Sequence, residues 1–232
     1  MKNIWMTSDP KIIGMAFLGG IIPSLLWLWF WLREDREHPE PKGLLAVIFI
    51  VGMIAVIFVL PVQKFIQAHI ISHEGQLILW ASAEEIIKYL AVLIVLYRTS
   101  YINQPIDWPM YIITAALGFA ALENSRFLIQ PLQMGQDTVG LLTGQLRFLG
   151  STLLHTVSSG ILGILLGISL RMNPIKRTFY LLGGFALAIA LHSLFNFFII
   201  RNGGDDFLRV FGFLWVATII MMLLFERVRR MN

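Results

Sequence analysis

Long apolar blocks separated by short polar connections organise this chain, and nothing in its pattern alternates with the period of two that a strand would show. Seven blocks can be drawn, roughly Ile12–Leu32, Leu44–Leu60, Leu77–Tyr97, Pro109–Gln130, Leu146–Leu170, Phe179–Ile200 and Phe211–Phe225. Each reads as a helix crossing ~30 Å of hydrocarbon at ~1.5 Å per residue. The first is too long for a signal peptide and has no small-residue cleavage site; Trp27, Trp29 and Trp31 give it an interfacial anchor, so it reads as a span. Pro61, Pro105, Pro131 and Pro174 fall between blocks and read as helix breakers. The pattern predicts an all-α, polytopic membrane bundle of about seven helices, with residues 1–232 forming one membrane domain.

Composition sharpens this picture. The 232 residues are 57% hydrophobic and only 14% charged, against about 25% charged for a soluble domain. Without cysteine, thiol catalysis, disulfides and Cys-type zinc sites are excluded. The basic balance, pI near 9.6, comes from Lys and Arg in short loops and the C-terminal tail. That distribution fits an inside-positive bias, and no nucleic-acid module is present.

The third block breaks the apolar rule. Glu84, Glu85 and Lys88 lie within it, although an ionisable residue at mid-bilayer costs roughly 2.5–3.5 kcal/mol on insertion scales. The fourth block carries Glu123 and Asn124, the fifth His155 with Ser159, and the sixth His192 with Asn196. Loop charges orient the helices. On the N-terminal side stand Lys2, Lys11, Lys64, Arg147, Arg201 and Arg209; the other side carries ten basic residues, from Arg33 to Arg230. The bias predicts an extracytoplasmic N-terminus and a cytoplasmic C-terminus in the cell membrane. Counting from the outer ends puts Glu84 and Glu123 ~10 Å deep, His192 ~12 Å and His155 ~13 Å. Four successive helices therefore bring titratable groups to one level.

Glu84 and Lys88 share a helix face, and Glu85 can also reach Lys88. One lysine cannot neutralise two carboxylates, which leaves one of them available as a general base. The bland alternative is an ion pair that glues helices. His155 and His192 each begin a polar pair spaced four residues apart, with Ser159 and Asn196; alone, each could be an interhelical hydrogen bond. Asn196 or a histidine N–H can stabilise an oxyanion, and Asn124 can orient Glu123. Arg126 reads as snorkelling outward. Ser82, Ser151 and Ser158 read as small packing residues, as do Gly160, Gly163, Gly167, Gly183 and Gly184. His38, His69 and His73 fall in loops. All aspartates, Asp9, Asp35, Asp107, Asp137, Asp205 and Asp206, lie outside the spans, so an intramembrane aspartyl dyad has no residues. No HExxH, G-x-S-x-G, P-loop or dinucleotide fingerprint occurs.

Taken together, Glu84-Glu85-Ile-Ile-Lys88, Phe119-Ala-Ala-Leu-Glu123-Asn124, His155-Thr-Val-Ser-Ser159 and His192-Ser-Leu-Phe-Asn196 resemble the PrsW family of intramembrane proteases, distant relatives of the CAAX-processing proteases. The resemblance runs from Leu77 to about Ile200 in matching order. The wider superfamily ends its first motif in Arg after three residues and has FxxxH as its second. Lys88 at the nearer spacing and FxxxE both match the PrsW branch. The resemblance implies cleavage of a membrane-anchored anti-sigma factor near its extracytoplasmic side.

The expectation is thus an intramembrane peptidase acting on a single-span protein within the lipid bilayer. Glu84 is the expected general base, supported by Glu85 or Glu123. His155 would orient water or shuttle a proton, and His192 with Asn196 would hold the oxyanion. Lys88, Asn124 and Ser159 would support them, without a cofactor. Zinc held by Glu and His is the alternative mechanism, a non-catalytic membrane scaffold the alternative class, and an ion or proton transporter a third.

Overall fold

A computed structural model describes residues 9–34, 39–97, 99–136, 147–201 and 207–231. His38, Asp35, Asp137, Asp205, Asp206, Lys2 and Leu146 of the sequence analysis lie outside them, as do Arg36 and Arg98, two of the ten basic residues counted on the C-terminal side. Among the described residues the chain is seven α-helices and no strand: α1 (Pro10–Glu34), α2 (Lys42–His69), α3 (His73–Leu96), α4 (Asp107–Gln133), α5 (Thr152–Ser169), α6 (Pro174–Arg201) and α7 (Phe207–Arg229). A π-helical turn, Arg147–Ser151, leads into α5.

Six of the helices are long and apolar enough to cross a membrane. The exception is α3, in which every 18-residue stretch contains Glu84, Glu85 and Lys88. Its 24 residues are still long enough to span, at ~1.5 Å per residue. The side chains that disqualify it by composition are buried inside the bundle.

The centre of the bundle is α4. Every residue from Asp107 to Ala121 is buried, and α1, α2, α3 and α5 all pack on it. Small residues allow that approach: a Cβ on Gly52 would collide with the backbone of Ala115, and one on Gly118 with the backbone of Phe49. On α5, a Cβ at Gly163 would stand 2.6 Å from Pro109 Cα. Close helix contact through small residues is the expected glue where lipid removes the hydrophobic drive. Gly160, Gly167 and Gly184 are similarly crowded, whereas Gly183 has open space beside it.

The prolines divide. Pro174 opens α6, a position where the missing N–H costs nothing, and Pro105 lies in the turn before α4. Pro61 and Pro131, however, sit inside α2 and α4. Packed bundles tolerate interior proline because neighbours re-satisfy the freed backbone groups. As a result α2 continues to His69, well past the sequence-predicted end at Leu60, and its last turns lie beside α3. Asp107 begins α4, and its Oδ2 accepts the N–H groups of Asn103 and Gln104 at 2.7 and 2.8 Å. His69 and His73 are exposed at facing helix ends.

Candidate functional site

One turn of α3 supplies Glu84, Glu85 and Lys88, and all three are buried. A carboxylate out of water is costly unless it is paired and hydrogen-bonded, and Glu85 meets both conditions. Its Oε1 accepts from Lys88 Nζ at 2.8 Å, His192 Nδ1 at 2.9 Å and Ser158 Oγ at 3.2 Å. Its Oε2 accepts from Ser159 Oγ at 2.6 Å. Donors from α3, α5 and α6 thus converge on one carboxylate, although the Ser158 hydroxyl shares its single proton with the Leu154 carbonyl at 2.8 Å.

Glu84, its neighbour in sequence, is held differently. Its Oε1 accepts from Gln63 Nε2 on α2 at 2.8 Å. Its Oε2 is buried and has no hydrogen-bond partner. That oxygen lies 3.6 Å from His192 Nε2. With its Nδ1–H given to Glu85, a neutral His192 ring would turn its Nε2 lone pair towards Glu84. Two acceptors face each other across a gap that a proton donor such as water can bridge.

The second histidine has the opposite tautomer. Lys88 Nζ lies 2.8 Å from His155 Nδ1, and an ammonium only donates. The His155 proton therefore sits on Nε2, 3.0 Å from Glu123 Oε2. Phe119 closes the floor, with Lys88 Nζ 4.6 Å from its ring centre and the His155 ring edge-on at 5.4 Å. The two imidazoles meet in a T at 5.0 Å. Glu123 is 13% exposed, which makes it the most open carboxylate of the group.

Residues from four helices named from sequence thus come together: Glu84, Glu85, Lys88, Glu123, His155, Ser159 and His192. Two others stand apart. Asn124 donates to Thr152 Oγ1 at 2.8 Å and ties α4 to α5. Asn196 is one turn beyond His192 and half-buried, and among the described residues it makes no hydrogen bond to the cluster. Sequence reasoning missed Gln63, because Pro61 placed it in a loop. It also gave Ser158 to packing, although a serine one turn below His155 is well placed to serve a buried acid.

A polytopic helical bundle with carboxylates and imidazoles gathered in its interior defines the class of intramembrane enzymes built on a buried polar centre. The family described as "PrsW family intramembrane metalloprotease" matches residues 40–225, and the chain belongs to that family of intramembrane proteases. Its relatives include Protease PrsW of Geobacillus kaustophilus, 26% identical over 79% of each chain. Protease PrsW of Shouchella clausii is 25% identical over 80% of this chain and 84% of its own. That of Oceanobacillus iheyensis is 29% identical over 77% and 80%. No solved structure matches the chain.

The family description implies a metal, and the donor set tests it. Ligand atoms of Glu84, His155 and His192 lie within 4.8 Å of one another, a span one ion can bridge. A metal-bound imidazole offers a bare nitrogen and donates its other N–H to an acceptor. His192 has that arrangement through Glu85. His155 reverses it, because the Lys88 ammonium occupies Nδ1 and leaves the proton on the nitrogen that would bind. The ammonium also adds positive charge beside the position a divalent cation would take. Two ligands and an N–H donor do not make a three-ligand metal centre, so the residues do not fit one as arranged.

Proposed function

We propose that this protein cleaves single-span membrane proteins, an anti-sigma factor being the substrate class its resemblance suggests, with water activated by Glu84 and without a metal. The asymmetry of the two adjacent glutamates carries this reading. Glu85 is held by Lys88, His192 and Ser159 and serves as an anchor, whereas Glu84 keeps one buried oxygen without a hydrogen-bond partner, 3.6 Å from His192 Nε2.

Water donating to Glu84 Oε2 and His192 Nε2 has its lone pairs aimed away from both. As its oxygen bonds to the peptide carbonyl carbon, Glu84 takes the proton. The carbonyl oxygen becomes an oxyanion, and the His155 Nε2–H, held in that tautomer by Lys88, is the donor that serves it once substrate displaces Glu123. Collapse breaks the C–N bond, and Glu84 returns its proton to the leaving amine. Lys88, held between Glu85 and His155, offsets part of the negative charge that develops.

The test is cleavage of a single-span substrate by purified protein in detergent. Glu84→Gln is expected to lose about 10²–10⁴-fold in rate while inserting and folding normally, and a strong chelator is expected to leave wild-type turnover intact. One zinc per chain, with activity lost on stripping and regained on return, would overturn the metal-free mechanism in favour of an ion at Glu84, His155 and His192. Full activity in Glu84→Gln would remove that residue from the chemistry.

A further inference from the structure

We propose that Gln63 is the positioning residue for the catalytic carboxylate: its side-chain amide fixes which oxygen of Glu84 receives the proton from water. This inference rests on the reading of Glu84 as the general base.

Four observations support it. Gln63 Nε2 donates to Glu84 Oε1 at 2.8 Å, the one hydrogen bond that Glu84 accepts among the described residues. Lys88, the cation one turn away, is spent on Glu85 and His155. Without Gln63 the Glu84 carboxylate would be free to rotate towards Lys88 or His192, and neither oxygen would be presented consistently. Gln63 is itself anchored, because its backbone carbonyl accepts the indole N–H of Trp80 on α3 at 3.2 Å. The indole is one turn before Glu84 on the same helix, so the link closes a loop between α2 and α3. The donor and its anchor reach the site only because α2 continues through Pro61.

The chemistry of the donor matters. Glu85 is held by an ammonium, which suits an anchor that must stay ionised. A primary amide orients Glu84 without neutralising it, and the carboxylate keeps the basicity that water activation needs. A charge-assisted hydrogen bond of this kind controls about a ten- to hundredfold effect when it acts on a reacting group.

The experiment uses the full chain in detergent and a synthetic single-span peptide with a fluorophore and quencher across its extracytoplasmic junction. Gln63→Met keeps the length and loses the donor. It is expected to lower kcat about ten- to a hundredfold, with KM within about twofold and a melting temperature that falls only modestly, the chain still folded at the assay temperature. Gln63→His restores a neutral N–H at similar reach and is expected to recover most of kcat. Wild-type kcat in Gln63→Met would overturn the assignment. Equal losses in both variants with a lowered melting temperature would overturn it too, since that pattern reports packing rather than donation. Cleavage surviving in Glu84→Gln would instead sink the underlying reading, so the two failures are distinguishable.

Discussion

Glu84 and Glu85 differ in nothing but their neighbours, and those neighbours separate stability from chemistry. Removing the Glu85 charge leaves Lys88, His192 and Ser159 facing a neutral group in a buried site. Glu85→Gln is therefore expected to cost roughly 3–5 kcal/mol, seen as a large drop in melting temperature in detergent. Glu84→Gln, which disturbs one hydrogen bond, should melt within about 1 kcal/mol of wild type. Similar melting of the two variants would contradict the division of roles. The acids and imidazoles of the site were legible in sequence because charge in an apolar block is conspicuous. Gln63 was not, since an uncharged amide just after a proline looks like any helix end. Which glutamate is anchored was also hidden: Lys88 is within reach of both, and Ser158, Ser159 and His192 decide the matter from helices distant in sequence.

At the scale of helices, number and order were legible, because a hydrophobic block long enough to span a bilayer has few other fates. Helix ends were less so. Pro61 and Pro131 carry the breaker signal, yet packing on α4 lets both helices continue. The contact of α2 with α4 also determines where Gln63 stands. Gly118→Val would push side-chain atoms into the Phe49 backbone and force the two helices apart. Overpacking of this kind costs about 1–3 kcal/mol. The expected result is a lowered melting temperature together with a loss of cleavage larger than the unfolded fraction explains. A variant that melts lower but cleaves at the wild-type rate would show that the α2–α4 spacing does not govern the site.

For the molecule as a whole, the depth of the cluster and the charge bias of the loops predict where a substrate is cut. Helical backbone hides its carbonyls, so the target is a locally unwound or juxtamembrane stretch. The cut is expected in the outer third of the substrate's span or just beyond it, on the extracytoplasmic side; mass spectrometry of both product ends locates it. A site in the cytoplasmic half would contradict the orientation. The same polar centre bears on how the protein is made. With three ionisable groups at roughly 2.5–3.5 kcal/mol each, α3 is a poor candidate for entering the bilayer alone. The groups that satisfy it arrive later in synthesis, on α5 and α6. Integration of α3 and assembly of the polar centre are then a single event. A nascent chain released after α4 should leave α3 outside the membrane, accessible to a glycosylation tag that the full-length protein protects, and a cell would never hold a correctly inserted bundle with an unassembled centre.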